Sequence, residues 1–259
     1  MLNRIQTLVL PALLLLLPIP ALADDGADFA ATIGKAHGAA GWHGQEAFAA
    51  DIQVSFGGNT VIDGTLLTRT DTSGVRIELK NGAVAVWDGE EAWVTPSAEA
   101  FRGARFHVLT WPYFVAVPMK LQDPGTHVAV LGQKSLNGEP YDTARLTFGE
   151  GVGDTPDDWY ILYREPDSHQ LKAMAYIVTY GNPVEKAEQA PHAIVYSDFA
   201  TVDGVVVSKS WTFYNWNEAQ GAHGDPIGAV TITNPRFVTP PEGAFTKPEG
   251  AVADPLPGG

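Results

Sequence analysis

The sequence contains no cysteine. Disulfides, Cys-ligated zinc and thiol nucleophiles are excluded, so a folded core must hold by packing alone. Positive charge is scarce as well: 16 Lys and Arg stand against 30 Asp and Glu, a formal net charge of −14. A chain of that sign has no broad electrostatic grip on DNA, RNA or anionic headgroups, and nucleic acid is excluded as a partner. Also missing are a Gly-x-Ser-x-Gly elbow, a His-Glu-x-x-His pair, a phosphate-binding glycine loop and a Gly-x-Gly-x-x-Gly turn after a strand. On these absences the chain is read as a non-enzyme with no cofactor and no metal. What remains is apolar material in quantity: 45% hydrophobic residues and seven Trp among 259 residues, enough for one large globular domain.

The N-terminus reads as a secretory signal. Arg4 supplies a positive start, Leu8 to Leu17 is an apolar run too short to span a bilayer comfortably, and Ala21-Leu22-Ala23 is a small-x-small cleavage site. The expected mature chain begins at Asp24, and losing Arg4 with residues 1–23 takes its formal charge to −15. With no later run long enough to span a membrane and no Cys to carry a lipid, the expectation is a freely diffusing periplasmic protein without stable membrane insertion, and a monomer.

Asp25 to His37 carries Phe29 and Ile33 four residues apart, acidic residues in its first turn and Gly38 at its end. This predicts an amphipathic helix stopped by glycine. From Ala47 the period becomes two. Val75 to Lys80 alternates strictly, Asn81-Gly82 is a type I′ hairpin signal, and Ala83 to Trp87 and Ala92 to Thr95 follow. Further strands are expected at Thr126 to Gly132, Tyr141 to Phe148, Trp159 to Tyr163, Leu171 to Tyr180, Ala193 to Phe199, Val205 to Asn215 and Ile227 to Thr233. Asn137-Gly138, Pro166-Asp167 and Asp203-Gly204 mark turns between them. About a dozen short-turn strands predict a large antiparallel meander, either closed into a barrel or strongly curled around a plug.

The stretch from Pro96 to Gly125 breaks this grammar. Phe101, Phe106, Leu109, Trp111, Tyr113, Phe114, Val115, Val117, Met119 and Leu121 make it too apolar for a solvated loop. A helix to about Trp111, then an extended stretch after Pro112, is expected to lie across the open face of the sheet. Such a segment either completes the core or forms a lid over an apolar cavity with Trp111 and Tyr113 at its mouth.

Three motifs, in order, carry a resemblance. Gly64 to Thr70 and Trp87-Asp88-Gly89-Glu90-Glu91-Ala92-Trp93-Val94-Thr95-Pro96, followed near the end by Phe237-Val238-Thr239-Pro240-Pro241-Glu242-Gly243, resemble the outer-membrane lipoprotein-sorting (LolA/LolB-like) superfamily. Its members carry Gly-x-Leu-Trp-x-x-Arg-Pro, Asp-Gly-x-x-x-Trp and Phe-x-Pro-Pro-x-Gly in the same places. The resemblance implies a mainly β, α+β fold: a large curled antiparallel sheet, an incomplete barrel, covered by short helices over residues 24–246. It implies a carrier of lipid or lipoprotein acyl chains held between sheet and cover. Arg69 matches the family's functional arginine, although Thr70 stands where proline follows it, so the constraint that ends the strand there is missing. The expected ligand-binding set is Arg69, Trp87, Trp93, Phe106, Leu109, Trp111, Tyr113, Phe114 and Met119. Residues 247–259, rich in Pro and Gly, are expected to form a flexible tail.

Three residue groups admit a second reading. His37 and His43 with Glu46 could hold a metal, against a plain helix-end His beside a glycine turn. Asp154, Asp157 and Asp158 could hold calcium weakly, against a solvated acidic turn. Tyr160, Tyr163, Tyr176, Tyr180, Trp211, Tyr214 and Trp216 sit at strand spacing, as core or cross-strand pairs rather than a sugar-stacking platform. The plainer reading is preferred in each case. The remaining alternatives are an envelope sensor or protein-interaction module of the same fold, and a hydrolase in which His107 or His127 meets a carboxylate and a hydroxyl inside the cavity.

Overall fold

The computed structural model of the chain describes residues 25–257. The expected signal peptide, residues 1–23, lies outside the described residues. Helix α1 (Asp25–His37) forms where the apolar spacing predicts it, burying Phe29, Ala30 and Ile33. Gly38 ends it at φ 77°, and a Cβ there would stand 2.3 Å from the Gly204 carbonyl oxygen, so no other residue fits this crossing. A five-residue helix, α2 (Ala39–His43), follows.

The chain then meanders through β1 (Ala47–Phe56), β2 (Asn59–Arg69), β3 (Val75–Leu79), β4 (Val84–Trp87) and β5 (Ala92–Thr95). Helix α3 (Ala104–Lys120) leads to β6 (Thr126–Leu136), β7 (Glu139–Phe148), β8 (Tyr160–Arg164) and β9 (Leu171–Tyr176). After α4 (Val184–Ala187) come β10 (His192–Val202), β11 (Val205–Asn217), β12 (Gly221–Val238) and the two-residue β13 (Val252–Ala253). All strands join one sheet in the order β13-β5-β4-β3-β2-β1-β12-β11-β10-β9-β8-β7-β6, antiparallel throughout. β13 and β6 are its two ends and do not pair, so the sheet is an incomplete barrel. Of the two sequence alternatives, the curled and plugged sheet is the one observed.

Strand alternation sorts the side chains. Ile52, Val54, Ile62, Leu66, Ile77, Leu146, Leu162 and Phe213 join the main core with α1 and α3, while Ile161, Tyr163, Ala173 and Trp216 form a smaller cluster on the other face. Gly64 of the first motif has a steric reason: a Cβ there would meet the Glu78 carbonyl oxygen at 2.0 Å across the β2/β3 pair.

Some local expectations are corrected. Asn137-Gly138 and Asp203-Gly204 have both residues at positive φ, as a type I′ turn requires, but at Asn81-Gly82 only Gly82 does. There the Asn81 side chain accepts the Ala83 N–H, and Leu79 and Ala83 close a wider turn. The predicted break at Pro112 does not occur either. α3 runs unbroken through Pro112 and Pro118, because burial of Val108, Trp111, Phe114, Val115, Ala116 and Val117 outweighs the lost backbone bonds. The Phe114 carbonyl, deprived of a donor by Pro118, accepts the Tyr196 hydroxyl at 3.3 Å.

His37 pins α1 to the sheet. Its Nε2 accepts the Leu171 N–H at 3.0 Å, so the proton resides on Nδ1, which donates to the Val206 carbonyl at 3.0 Å. Burial lowers its pKa from the usual 6.5 to about 4. The unfolded chain therefore binds this proton first, and the stability His37 contributes is complete above pH 6.5 and lost as pH falls toward 4. Urea unfolding at pH 7 and pH 4.5 should show His37→Gln losing about 2 kcal/mol at the higher pH and much less at the lower.

Candidate functional site

β5 and β6 lie at or near opposite ends of the sheet, so the chain between them must cross its open face, and α3 makes that crossing. Between α3 and the strands lies a cavity of about 590 Å³. α3 presents Phe106, Leu109, Trp111, Tyr113 and Phe114 to it. The sheet contributes Phe56 from β1, Phe148 from β7, Tyr160 from β8, Tyr176 from β9 and Ile227 from β12, with exposed Val61 at the rim. The aromatic rings meet edge to face, Phe114 on Tyr176 at 5.3 Å and Phe148 on Tyr160 at 5.7 Å.

The wall also carries polar side chains, most of its Thr, Asp and Lys engaged within the protein. The Trp111 indole N–H donates to His107 Nδ1 at 2.9 Å, and burial lowers the His107 pKa to about 4, leaving it neutral at pH 7. Asp158 is 7% exposed; its carboxylate accepts the Thr179 N–H and hydroxyl and the Thr155 hydroxyl. Burial pushes its carboxyl upward, opposed by those hydrogen bonds. Asp154 is held by Arg105 through two bonds of 2.6 and 2.9 Å, and Asp123 by Lys120 at 2.5 Å. The expected solvated acidic turn is thus corrected: Asp158 is buried and Asp154 is ion-paired, because the loop folds back over the cavity instead of facing water.

Five of the nine expected ligand residues line the cavity: Phe106, Leu109, Trp111, Tyr113 and Phe114. Trp111 is not at its mouth, being 3% exposed, whereas Tyr113 is partly exposed with its hydroxyl turned inward and buried. Arg69, Trp87, Trp93 and Met119 lie elsewhere. Arg69 is exposed and stacks on Phe245, and Trp87 receives the Arg105 guanidinium on its face. Trp93 donates its indole N–H to Asp88, whose other oxygen accepts the Glu90 and Glu91 N–H groups, so the Asp-Gly motif locks a turn and does not touch ligand space. Met119 is buried on the far side of α3, its carbonyl accepting from His43 Nε2. Thr70 uses the N–H that proline lacks to bond the Glu46 carbonyl, and its own carbonyl accepts the Trp42 indole.

Nothing in the residue pattern marked Phe56, Phe148, Ile227 or Asp158 as cavity residues. Tyr160 and Tyr176 pair across β8 and β9, as strand spacing predicts, but nothing in spacing separates a ring that fills a core from one that lines a void.

The C-terminal stretch differs from the flexible tail expected of it. Val252 pairs with Val94, Asp254 N–H donates to the Ala92 carbonyl, and Asp254 Oδ2 accepts the Arg105 N–H at 2.8 Å. Gly103, the residue before α3, has no side chain to cap the helix, so Asp254 supplies the anion from the far end of the chain.

A curled, unclosed antiparallel sheet whose concave face is roofed by a helix over an apolar cavity is the LolA-like fold. Solved structures similar in shape agree. A LolA superfamily protein from Nitrosomonas europaea matches at TM-score 0.54 and 13% identity, covering 84% of this chain and 97% of that one. A DUF1329 family protein from Desulfovibrio piger matches at 0.55 and 12%, covering 86% and 96%. A domain assigned to outer membrane lipoprotein sorting from Vibrio parahaemolyticus matches at 0.54 and 10%, covering 86% and 97%. In sequence, a family model described as a family of unknown function (DUF6503) matches residues 105–218, from α3 through β11. No curated protein matches the sequence.

Removing the cap tests how the roof is held. Asp254→Ala should lower stability by about 1 kcal/mol and raise hydrogen exchange in the first turns of α3, with β10 and β11 unaffected.

Proposed function

We propose that the protein is an exported, periplasmic, non-catalytic carrier that buries an apolar or lipid-modified ligand between the sheet and α3. The observation that carries this reading is the cavity itself: about 590 Å³ of space walled mainly by Phe, Tyr, Trp, Leu, Ile, Val and Pro. That size falls within the range of small-molecule sites. Withdrawing an acyl chain from water into such a space contributes about 0.8 kcal/mol per methylene, enough to hold cargo without any covalent step. α3 and the loop at 152–158 cover the space, so release requires moving this cover, and a partner that binds the cargo better would complete the transfer. The signal expected at residues 1–23 and the acidity of the chain support a diffusible periplasmic role over one attached to anionic lipid.

A hydrolase reading gains nothing from the geometry. His107 Nδ1 is occupied by the Trp111 indole, and His127 is exposed and does not line the cavity. An envelope-protein partner is favoured by β6, a sheet-end strand whose Val130 and Leu131 are 45% and 44% exposed.

Native mass spectrometry of protein purified from periplasm should show a co-purifying lipid, and the stripped protein should bind the neutral probe N-phenylnaphthylamine. Ile227→Trp, which fills the cavity from β12, should weaken probe binding at least tenfold with an unchanged far-UV CD spectrum. Protein that is empty and also ignores the probe would overturn the carrier reading.

A further inference from the structure

We propose that the cavity recognises an amphiphilic cation: an apolar body carrying a protonated amine or a quaternary ammonium, its charge seated against Asp158 and the aromatic rings around it. This rests on the carrier reading above and specifies the charge of the ligand's head.

Asp158 is a buried carboxylate without a counter-ion. It stands two residues before β8, 7% exposed, and lines the cavity. The Thr179 N–H and hydroxyl and the Thr155 hydroxyl donate to it, and among the described residues it joins no ion pair. An N–H can only donate, which favours the ionised form. The neighbouring charge of Asp157 is negative as well, and with burial it pushes the Asp158 carboxyl upward. Neutral donors offset the loss of water only in part, so a carboxylate in this setting still lacks a positive partner.

The other charges in the wall are already paired. Asp154 receives both bonds of Arg105, and Lys120 is spent on Asp123 and the Asp71 carbonyl. His107 and His192 also line the cavity, and burial lowers both pKa values, so neither ring supplies positive charge at neutral pH. Aromatic rings surround the charge that is left over. The field of Asp158 reaches Tyr113, Tyr160 and Tyr176. These rings pack with one another and with their neighbours, Tyr113 on Tyr160 at 5.9 Å, Phe148 on Tyr160 at 5.7 Å and Phe114 on Tyr176 at 5.3 Å. Ring faces attract cations, most strongly where water is excluded, and aromatic rings grouped around one point hold alkylammonium heads. An anionic head would meet Asp158 with no counter-ion between them, and a neutral head would leave Asp158 unpaired; a cationic head alone supplies the missing partner. The net charge of −14 adds attraction for such a ligand at longer range.

The test is displacement of N-phenylnaphthylamine at pH 7.5 by four ligands of one chain length, dodecyltrimethylammonium, dodecylammonium, dodecanol and dodecanoate, each below its micelle concentration. The wild type should bind the two cations at least tenfold more tightly than dodecanol, and dodecanoate most weakly. This preference should persist in about 0.5 M NaCl, which screens the diffuse surface charge far more than a buried contact. Asp158→Asn should bring the cations to within about twofold of dodecanol while keeping probe binding. Asp157→Asn removes the same charge from an exposed neighbour and should change cation binding less than twofold. Tyr176→Leu should weaken dodecyltrimethylammonium more than dodecanol. If Asp158→Asn does not fold, the wild-type series, its salt dependence and Tyr176→Leu decide. Dodecanol bound as tightly as the cations, a preference abolished by salt, equal losses from Asp158→Asn and Asp157→Asn, or Tyr176→Leu weakening both ligands alike would each overturn the proposal and leave the carrier reading standing. If neither the probe nor dodecanol binds the wild type, the carrier reading falls and this proposal with it.

Discussion

A thirteen-stranded antiparallel sheet that curls without closing leaves a concave apolar face that must be covered, and the rest of the structure depends on how that cover is held. The chain solves the problem with its own connection. Because β5 and β6 lie at or near opposite ends of the sheet, the segment between them has to cross the open face, and it crosses as α3. Each part of that helix is tied to a different region. Asp254 caps its N-terminus, Tyr196 donates to the Phe114 carbonyl that Pro118 frees, and His43 donates to the Met119 carbonyl in the last turn. Two prolines in a helix would ordinarily be a liability; here burial on the sheet and an outside donor offset them.

The cover does not complete the core, and that separates a binding protein from a packed one. Protein interiors approach crystal density, so a void of several hundred Å³ under a fully ordered helix is a feature the surrounding contacts sustain at some cost in stability. The rings around it, Phe56, Trp111, Phe114, Phe148, Tyr160 and Tyr176, are braced on one another at 5.3 to 6.3 Å, and Phe56 and Trp111 also on Phe213 of the sheet. Within the wall Asp158 is satisfied by its threonines and His107 by Trp111. Shape therefore favours an apolar chain.

The residues of the first two family-like motifs turn out to be structural. Gly64 lets β3 approach, Asp88 ties its turn to Trp93, and Thr70 bonds the segment after α2. They identify the fold because they build it, and for the same reason they lie outside the cavity. A residue that recurs for turn geometry reports architecture; ligand space is walled by ordinary apolar side chains whose identity can drift as long as volume is kept.

Local chemistry determined a great deal from the sequence alone. The α1 helix and its glycine stop, most of the strands, the two Asn-Gly and Asp-Gly hairpins at 137–138 and 203–204, and the apolar interruption that became α3 all follow from periodicity and turn residues within a few positions of one another. What depended on distant contacts was decided only by tertiary structure. α3 passes Pro112 because a sheet lies beneath it, residues 251–254 are ordered because β5 and α3 receive them, and Asp158 is buried because a loop closes over it. The cavity itself has no local signature, because a side chain bordering empty space and one bordering a neighbour follow the same strand and helix periods, and only the three-dimensional spacing of α3 from the sheet separates them.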